Sequence, residues 1–377
     1  MGEGMKHGEY VLEDMGIVCA LGADAATVRE RLARRDTSGM KPLAGLFGGD
    51  ATVFGFAAGL PHPASLSESA AVPGSPTRVG AILEIAAAQI ADCVGRAAAR
   101  FGSARVGVAI GTSNSTMEEF TDNPDKIDMA YPAEWIRCRF SLGGPALAVS
   151  TACSSSAKSF AAARRMIESG ECDAVVTGGA DAYTRTVVEG FHSLEALSGT
   201  LCRPLSPDRD GINLGEGAAL FVMRRADPGD ASGDAPFPVL LAGVGESSDA
   251  YHLTAPDPEG RGAEAAMRAA LADAGMEPGD IGFVNLHGTG TEYNDPMECA
   301  AAGRVFGTKS AADGADLADA LAVRAFSTKA LTGHCLGAAG AIEAALCWLE
   351  LRERRGACLS NSFAFGGSNA SLVLKSL

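Results

Sequence analysis

No stretch of 18 or more apolar residues occurs in this 377-residue chain, so no segment reads as a membrane-spanning helix. The nearest approach, 336–351, is interrupted by Glu343 and Glu350 and reads as a buried or amphipathic helix. Residues 1–10 carry Glu3, Lys6, His7 and Glu9 and hold no apolar signal core. The ten cysteines include no CxxC pair and no regular spacing, which argues against both a zinc site and a disulfide framework. In a chain of this size they fit a reducing cytosol, most of them as small buried apolar residues. Positive charge is scarce, with 31 Lys and Arg against 46 Asp and Glu and a net charge of −15. That balance argues against a surface for nucleic acid or for an anionic membrane.

What is present is glycine, 47 residues of it, as expected where short strands and helices alternate through tight turns and close backbone approaches. The length exceeds what one hydrophobic core usually fills, so two core-forming halves are expected. Apolar β-type runs at 106–110, 146–151, 173–177 and 218–223 flank a helical stretch at 157–168. The pattern restarts after a segment rich in Pro, Gly, Asp and Ser at 226–238, the best linker candidate. Strands follow at 239–243, 281–286, 323–327 and 371–375, with helices from about 262, 296 and 336. The expectation is an α/β protein with an amino-terminal half at 1–226 and a carboxyl-terminal half at 238–377.

Three times a strand runs into a small-residue loop bearing a reactive side chain and then into a helix, where α/β sheets hold their chemistry. In Val149-Ser-Thr-Ala-Cys153-Ser-Ser-Ser the thiol sits at a helix amino terminus, whose dipole favours thiolate and whose free N–H groups can bind an oxyanion. Seen alone, such a cysteine is more often a small core residue. Asn285-Leu-His287-Gly-Thr289-Gly-Thr291 places an imidazole and two hydroxyls together at a strand end. Lys329 and His334 flank Gly333, ahead of a Gly/Ala-rich helix start. Half of the six histidines, His7, His62 and His192, are scattered elsewhere without such loops. In Asn361-Ser-Phe-Ala-Phe365-Gly-Gly, two glycines after an aromatic describe a backbone passing close to something, and the Phe365 N–H is a candidate oxyanion donor.

These four segments, in this order, resemble the β-ketoacyl-acyl-carrier-protein synthases of the type I/II class. Gly178-Gly-Ala-Asp181, Arg203-Pro-Leu-Ser-Pro-Asp-Arg-Asp-Gly211, Leu214-Gly-Glu-Gly217 and Ser247-Ser-Asp-Ala-Tyr-His252 add to the match, and Met15 to Gly22 matches more loosely. The resemblance implies the thiolase-like five-layer αβαβα fold, with two pseudo-symmetric halves. It also implies a decarboxylative condensation of an acyl group with malonyl-acyl-carrier-protein, in fatty-acid or polyene/polyketide synthesis. Cys153 would be the acylated nucleophile, while His287 and His334 would bind the malonyl thioester carbonyl. Lys329 would tune the field around His334, and Glu298 would be a supporting carboxylate. Thr289 and Thr291 would bond the phosphopantetheine arm, and the N–H groups of Cys153 and Phe365 would form the oxyanion hole. No metal and no resident cofactor is expected; the substrates would arrive on acyl carrier protein. The enzyme would be cytoplasmic, as a homodimer or a heterodimer. An acidic carrier would need a local basic patch, for which Arg29, Arg31, Arg34 and Arg35, or Arg137 and Arg139, are candidates; solvated helix faces are the plainer reading of each.

Three departures stand out. Ala364 occupies a place where the family commonly has Gly, so a gating loop is expected to be stiffer. The stretch from Arg355 runs directly into Asn361, where relatives usually place two strands, and the region between Gly111 and Pro145 is short. Among rivals, a degradative thiolase would need a second cysteine in the carboxyl-terminal Gly-rich loop, and 366–368 has none. A non-catalytic chain-length subunit would typically lack the nucleophile.

Overall fold

A computed structural model describes residues 9–120, 123–230 and 236–377. His7 and the middle of the linker expected at 226–238 lie outside the described residues. The first part of the chain contains β1 (Tyr10–Val18), α1 (Ala25–Ala33), β2 (Met40–Ala44), β3 (Ala51–Gly55), α2 (Arg78–Phe101), β4 (Val106–Gly111) and α3 (Tyr131–Arg139). It continues with β5 (Ala146–Val149), α4 (Ser155–Glu168), β6 (Ala174–Asp181), α5 (Arg185–Ser193), β7 (Leu214–Gly215) and β8 (Gly217–Arg225). The second part contains β9 (Val239–Ser248), α6 (Arg261–Ala274), β10 (Phe283–Asn285), α7 (Asn294–Phe306) and β11 (Arg324–Phe326). It ends with α8 (Lys329–Thr332), α9 (Ala339–Glu353), β12 (Ala357–Phe363) and β13 (Ser368–Ser376).

The strands form a 10-stranded sheet in the order β11-β10-β12-β13-β9-β1-β8-β6-β4-β5, and β2, β3 and β7 form a small separate sheet. Numbered within its own half and read inward from the sheet edge, each set of five strands has the order 3-2-4-5-1. In each half the second strand is parallel to its two neighbours, and the fifth is antiparallel to the fourth. The halves meet where β1 and β9 pair antiparallel.

Helices α2 and α3 cover one outer face of this arrangement, and α6 and α7 cover the other. α4 and α9 pack on each other and on strands of both halves, forming the middle of an αβαβα stack. That placement explains the composition of α9. Ala339 through Leu349 is buried without interruption, as befits a helix with no solvent on any side. The outer α2, by contrast, buries one face through Ile82, Leu83, Ala86, Ile90 and Val94. The largest apolar cluster draws on both halves, joining Phe160, Phe221, Trp348 and Leu372, so the two halves share a central core in addition to a separate cluster under the outer helices of each.

Among the strands that differ from the sequence reading, two bear on the site. β6 runs on through the glycines at 178 and 179 instead of ending before them. A Cβ at Gly179 would lie 2.5 Å from Ser156 Cβ and 2.9 Å from Gly111 O, so only glycine lets the start of α4 press onto this strand. The stretch 357–363, expected to have lost its strands, is itself β12, fully buried and paired antiparallel with β13. Five of the six arginines in the basic clusters pair locally: Arg29 with Glu353, Arg31 with Asp36, Arg34 with Glu30, Arg137 with Glu134 and Arg139 with Glu84. Among the described residues no helix is long and apolar enough to cross a membrane.

Candidate active site

β5 ends at Val149, and the chain turns through Ala152, whose φ of +52° is uncommon for a residue with a side chain. Cys153 follows, buried, two residues ahead of α4. From the other half, the loop after β11 brings His334, whose Nε2 lies 2.9 Å from Cys153 Sγ. The loop after β10 brings His287, and the rings of the two histidines meet edge to face with centroids 5.3 Å apart. Sulfur and one nitrogen of each imidazole lie within 4.8 Å of one another. These three are also the one group among the described residues with spacing suited to a metal ion.

Burial, and then the cation of Lys329, hold both imidazoles well below their ordinary value. They are neutral at pH 7, each with one N–H to donate and one nitrogen to accept. Burial pushes the Cys153 thiol up to about 11, against Lys329 and the backbone N–H groups of Phe365 and of Cys153 itself. The thiolate expected from the helix terminus is therefore not the resting form. The sulfur is buried, and its desolvation outweighs the nearby positive ends. His334 Nε2 is placed to take the proton when Cys153 reacts.

Buried carboxylates hold the loops. Glu298 accepts the N–H groups of His287 and Gly288, both at 2.8 Å, and Asn361 Nδ2 at 3.0 Å. Burial raises its pKa to about 7 against the pull of these donors. Asp295 accepts the N–H of Thr289 at 2.9 Å and that of Gly290 at 3.1 Å. This pins a turn in which Thr289 Oγ1 and Thr291 Oγ1 lie 2.9 Å apart. Lys329, itself buried, donates through Nζ to His287 O at 2.5 Å and pairs with Glu343 of α9. Asp295, Asn361 and Glu343 escaped the sequence reading as site residues. An acid in the midst of the apolar run 339–349 was the available signal for Glu343, because a buried charge needs a partner.

Phe365 lies in a tight turn whose left-handed positions are Gly366 (φ 80°) and Gly367 (φ 75°). Its ring stacks on Phe191 at 5.6 Å, and the Gly366 N–H donates to Leu253 O at 2.7 Å. Ala364 has φ −109° and ψ 153°, an extended conformation open to any residue, so its Cβ adds no strain to the turn. Cys153, His287, His334, Thr289, Thr291 and Phe365 all line one cavity of about 640 Å³. All of the residues expected to act together thus surround a single chamber, except Lys329 and Glu298, which stand behind its wall.

The description "Beta-ketoacyl synthase, N-terminal domain" matches residues 81–228, and "Beta-ketoacyl synthase, C-terminal domain" matches 239–359. The chain is 36% identical over 266 residues to 3-oxoacyl-[acyl-carrier-protein] synthase 2 of Staphylococcus aureus, a match covering 62% of this chain and 62% of that protein. It is 37% identical over 262 residues to nodulation protein E of Rhizobium leguminosarum bv. trifolii, again at 62% of each. The matched region thus spans less than two thirds of these relatives. Among solved structures, the complex of the ketosynthase ApeO with its chain length factor ApeC from Xenorhabdus doucetiae contains a chain 35% identical to this one. That match covers 100% of both chains with a TM-score of 0.85. The two matched stretches hold the loops of Cys153, His287 and His334 and most of the described sheet, and the chain belongs to the β-ketoacyl synthase family.

Proposed function

We propose that this protein condenses an acyl group, carried on Cys153, with a malonyl group on acyl carrier protein, releasing carbon dioxide and a β-ketoacyl-carrier-protein. The contact that carries this reading is the 2.9 Å approach of Cys153 Sγ to His334 Nε2, with His287 beside it. Cys153 Sγ attacks the incoming acyl thioester while His334 takes its proton. The oxyanion is met by the N–H groups of Cys153 and Phe365. The carrier thiolate leaves and recovers the proton. The malonyl thioester then enters with its carbonyl oxygen facing His287 and His334, each donating one N–H. Loss of carbon dioxide leaves an enolate, whose developing charge these two donors stabilise. Its carbon attacks the Cys153 thioester, forming the carbon–carbon bond and expelling the Cys153 thiolate, which takes up a proton from solvent to restore the thiol. Thr289 and Thr291 offer hydroxyls to the amides of the phosphopantetheine arm. Glu298 and Lys329 act on the histidine loops from behind.

The repeated strand order supports dividing the chain into halves at 1–226 and 238–377, one supplying the nucleophile and the other the imidazoles. All ten cysteines are unpaired, which supports a cytoplasmic setting in fatty-acid or polyene/polyketide synthesis. For a partner, β5 pairs only with β4 among the described strands and presents Leu147, 43% exposed, at the open edge of the sheet. An edge of this kind accepts a strand from a second chain. The second chain is either a copy of this one or a homologous subunit. The full-length match to a chain from a ketosynthase–chain length factor complex favours keeping the heterodimer in view.

The test is to incubate the purified protein with acyl- and malonyl-carrier protein and follow adducts by mass. An acyl adduct on wild type that vanishes in Cys153→Ala, together with β-ketoacyl product, is expected. An adduct persisting on Cys153→Ala overturns the assignment. Product formed only after a homologous subunit is added identifies an obligate heterodimer.

A further inference from the structure

β6 ends inside the molecule on Asp181, which is fully buried. Among the described residues its carboxylate has no cationic partner, and hydrogen-bond donors surround it instead. Thr112 Oγ1 donates at 2.6 Å, the Ser113 N–H at 2.9 Å, Ser113 Oγ at 2.8 Å and the Asn114 N–H at 2.8 Å, all from the loop after β4. A fifth donor, the Gly337 N–H at 2.6 Å, comes from the other half of the molecule. Five donors and no proton of its own to place suit a carboxylate, the side chain that only accepts; an amide in its place would turn an NH2 toward other N–H groups.

Gly337 lies three residues beyond His334, in the turn that opens α9. That turn is costly to hold. Leu336 has φ +51°, and a Cβ at Gly337 would lie 2.7 Å from Asp181 Oδ2 and 2.6 Å from Ser113 N. On the near side the His334 N–H donates to Asn213 O at 2.8 Å. The imidazole is thus carried by a short segment fastened at both ends, and Asp181 is the far fastening. We propose that Asp181 is a positioning residue: its buried carboxylate ties the turn after His334 to the loop after β4 and so fixes the imidazole against Cys153. This rests on reading Cys153 and His334 as the reacting pair. The sequence marks Asp181 only as the end of the Gly178–Asp181 motif and not its role, because its donors come from residues 67 to 156 positions away.

The charge of Asp181 also reaches the sulfur. It works with burial in holding the Cys153 thiol up, while Lys329 works against it. Together with His287 and His334, these are the titratable and charged groups that face the sulfur. Asp181→Asn therefore has two separable consequences. The His334 turn loosens, and kcat for condensation falls about 10- to 100-fold with KM little changed, the scale of loss expected for a misplaced catalytic group. The negative charge also disappears, so the pH midpoint for alkylation of Cys153 by iodoacetamide, followed on the Cys153 peptide by mass spectrometry, moves to lower pH. A merely structural role would lower stability and leave that midpoint alone. The proposal is overturned by a kcat within about twofold of wild type, or by a loss of activity that follows the loss of folded protein with an unchanged midpoint. If Asp181→Asn does not fold, Thr112→Val decides. It removes one donor, and a folded variant with wild-type kcat overturns the proposal, whereas a loss of about threefold or more supports it. Alkylation uses no carrier substrate, so the midpoint still tests Asp181 if the wild type condenses nothing and the functional reading fails.

Discussion

The two halves of this molecule share a strand order and divide the chemistry. In each, the loop after the third strand begins a middle-layer helix: α4 behind Cys153 in one half, α9 behind His334 in the other. The helix starts face each other, with the Ala341 N–H donating to Ser156 Oγ at 2.9 Å. In each half, the loop after the second strand is held by a buried carboxylate, Asp181 under Thr112–Asn114 and Glu298 under His287 and Gly288. The strand order is thus repeated, while the bracing carboxylates come from different elements, the end of β6 in one half and α7 in the other. Small polar residues stand after β4 where an imidazole stands after β10, and a thiol faces the histidine of the opposite half. A duplicated scaffold brings two equivalent loop ends together; substituting a few side chains on one copy then gives a nucleophile and its proton partner without changing either backbone.

Lys329 breaks that symmetry most deeply, because the amino-terminal half has no buried cation in the loop carrying Cys153. Lys329→Ala leaves Glu343 buried without its partner, and a loss of about 3 to 5 kcal/mol of stability in denaturant titration is expected. It also frees the His287 carbonyl from its 2.5 Å bond. The double variant Lys329→Met with Glu343→Leu replaces the ion pair by apolar volume and should recover most of the stability while leaving condensation slow. If the double variant condenses at wild-type rate, Lys329 serves the fold and not the site.

Glu298 gives the next largest effect and compares directly with Asp181. Its pKa of about 7 is raised, so the carboxylate is ionised above that pH and takes up a proton below it. Once protonated it loses acceptor capacity toward the His287 and Gly288 N–H groups, so wild-type kcat should fall as pH drops through about 7. Glu298→Gln should be about tenfold slower at high pH and should lack that acid limb. A Gln variant that keeps the wild-type acid limb would assign the limb to another group and leave Glu298 a purely structural brace.

Much of this organisation was legible beforehand, for a physical reason. Strands buried on both faces leave continuous apolar runs, and the turns that carry Cys153, His287 and His334 need small residues that stand out between them. Other parts were hidden. α2 was not read, although Ala-rich composition and the stripe of Ile82, Leu83, Ile90 and Val94 at helical spacing were there to find. β12 was missed because Ser360, Asn361 and Ser362 read as loop residues, whereas all are buried, with Asn361 bonded to Glu298 and Ser371. The resting thiol was not foreseen because the helix terminus is visible in a sequence and the burial of the sulfur is not. Asp181 and Glu343 find their partners at long sequence separation, so their roles exist only in three dimensions.

The smallest effect concerns the turn at Phe365, which has no counterpart on the Cys153 side and where stiffness was expected from Ala364. The left-handed positions of that turn fall on Gly366 and Gly367, while Ala364 is extended, buried and bonded through its N–H to Ser368 O at 3.0 Å. Placing Gly at 364 relieves no clash; it only widens the unfolded ensemble, at a cost of about 0.5 to 1 kcal/mol. Acyl loading of Cys153 by Ala364→Gly in stopped-flow should therefore stay within about twofold of wild type. Phe365 is held instead by its stack on Phe191 and by the Gly366 bond to Leu253, contacts that a change at 364 does not touch. If Ala364→Gly loads about tenfold faster, the brake lies in the backbone at 364 after all, and the ring stack is not what sets the pace of opening.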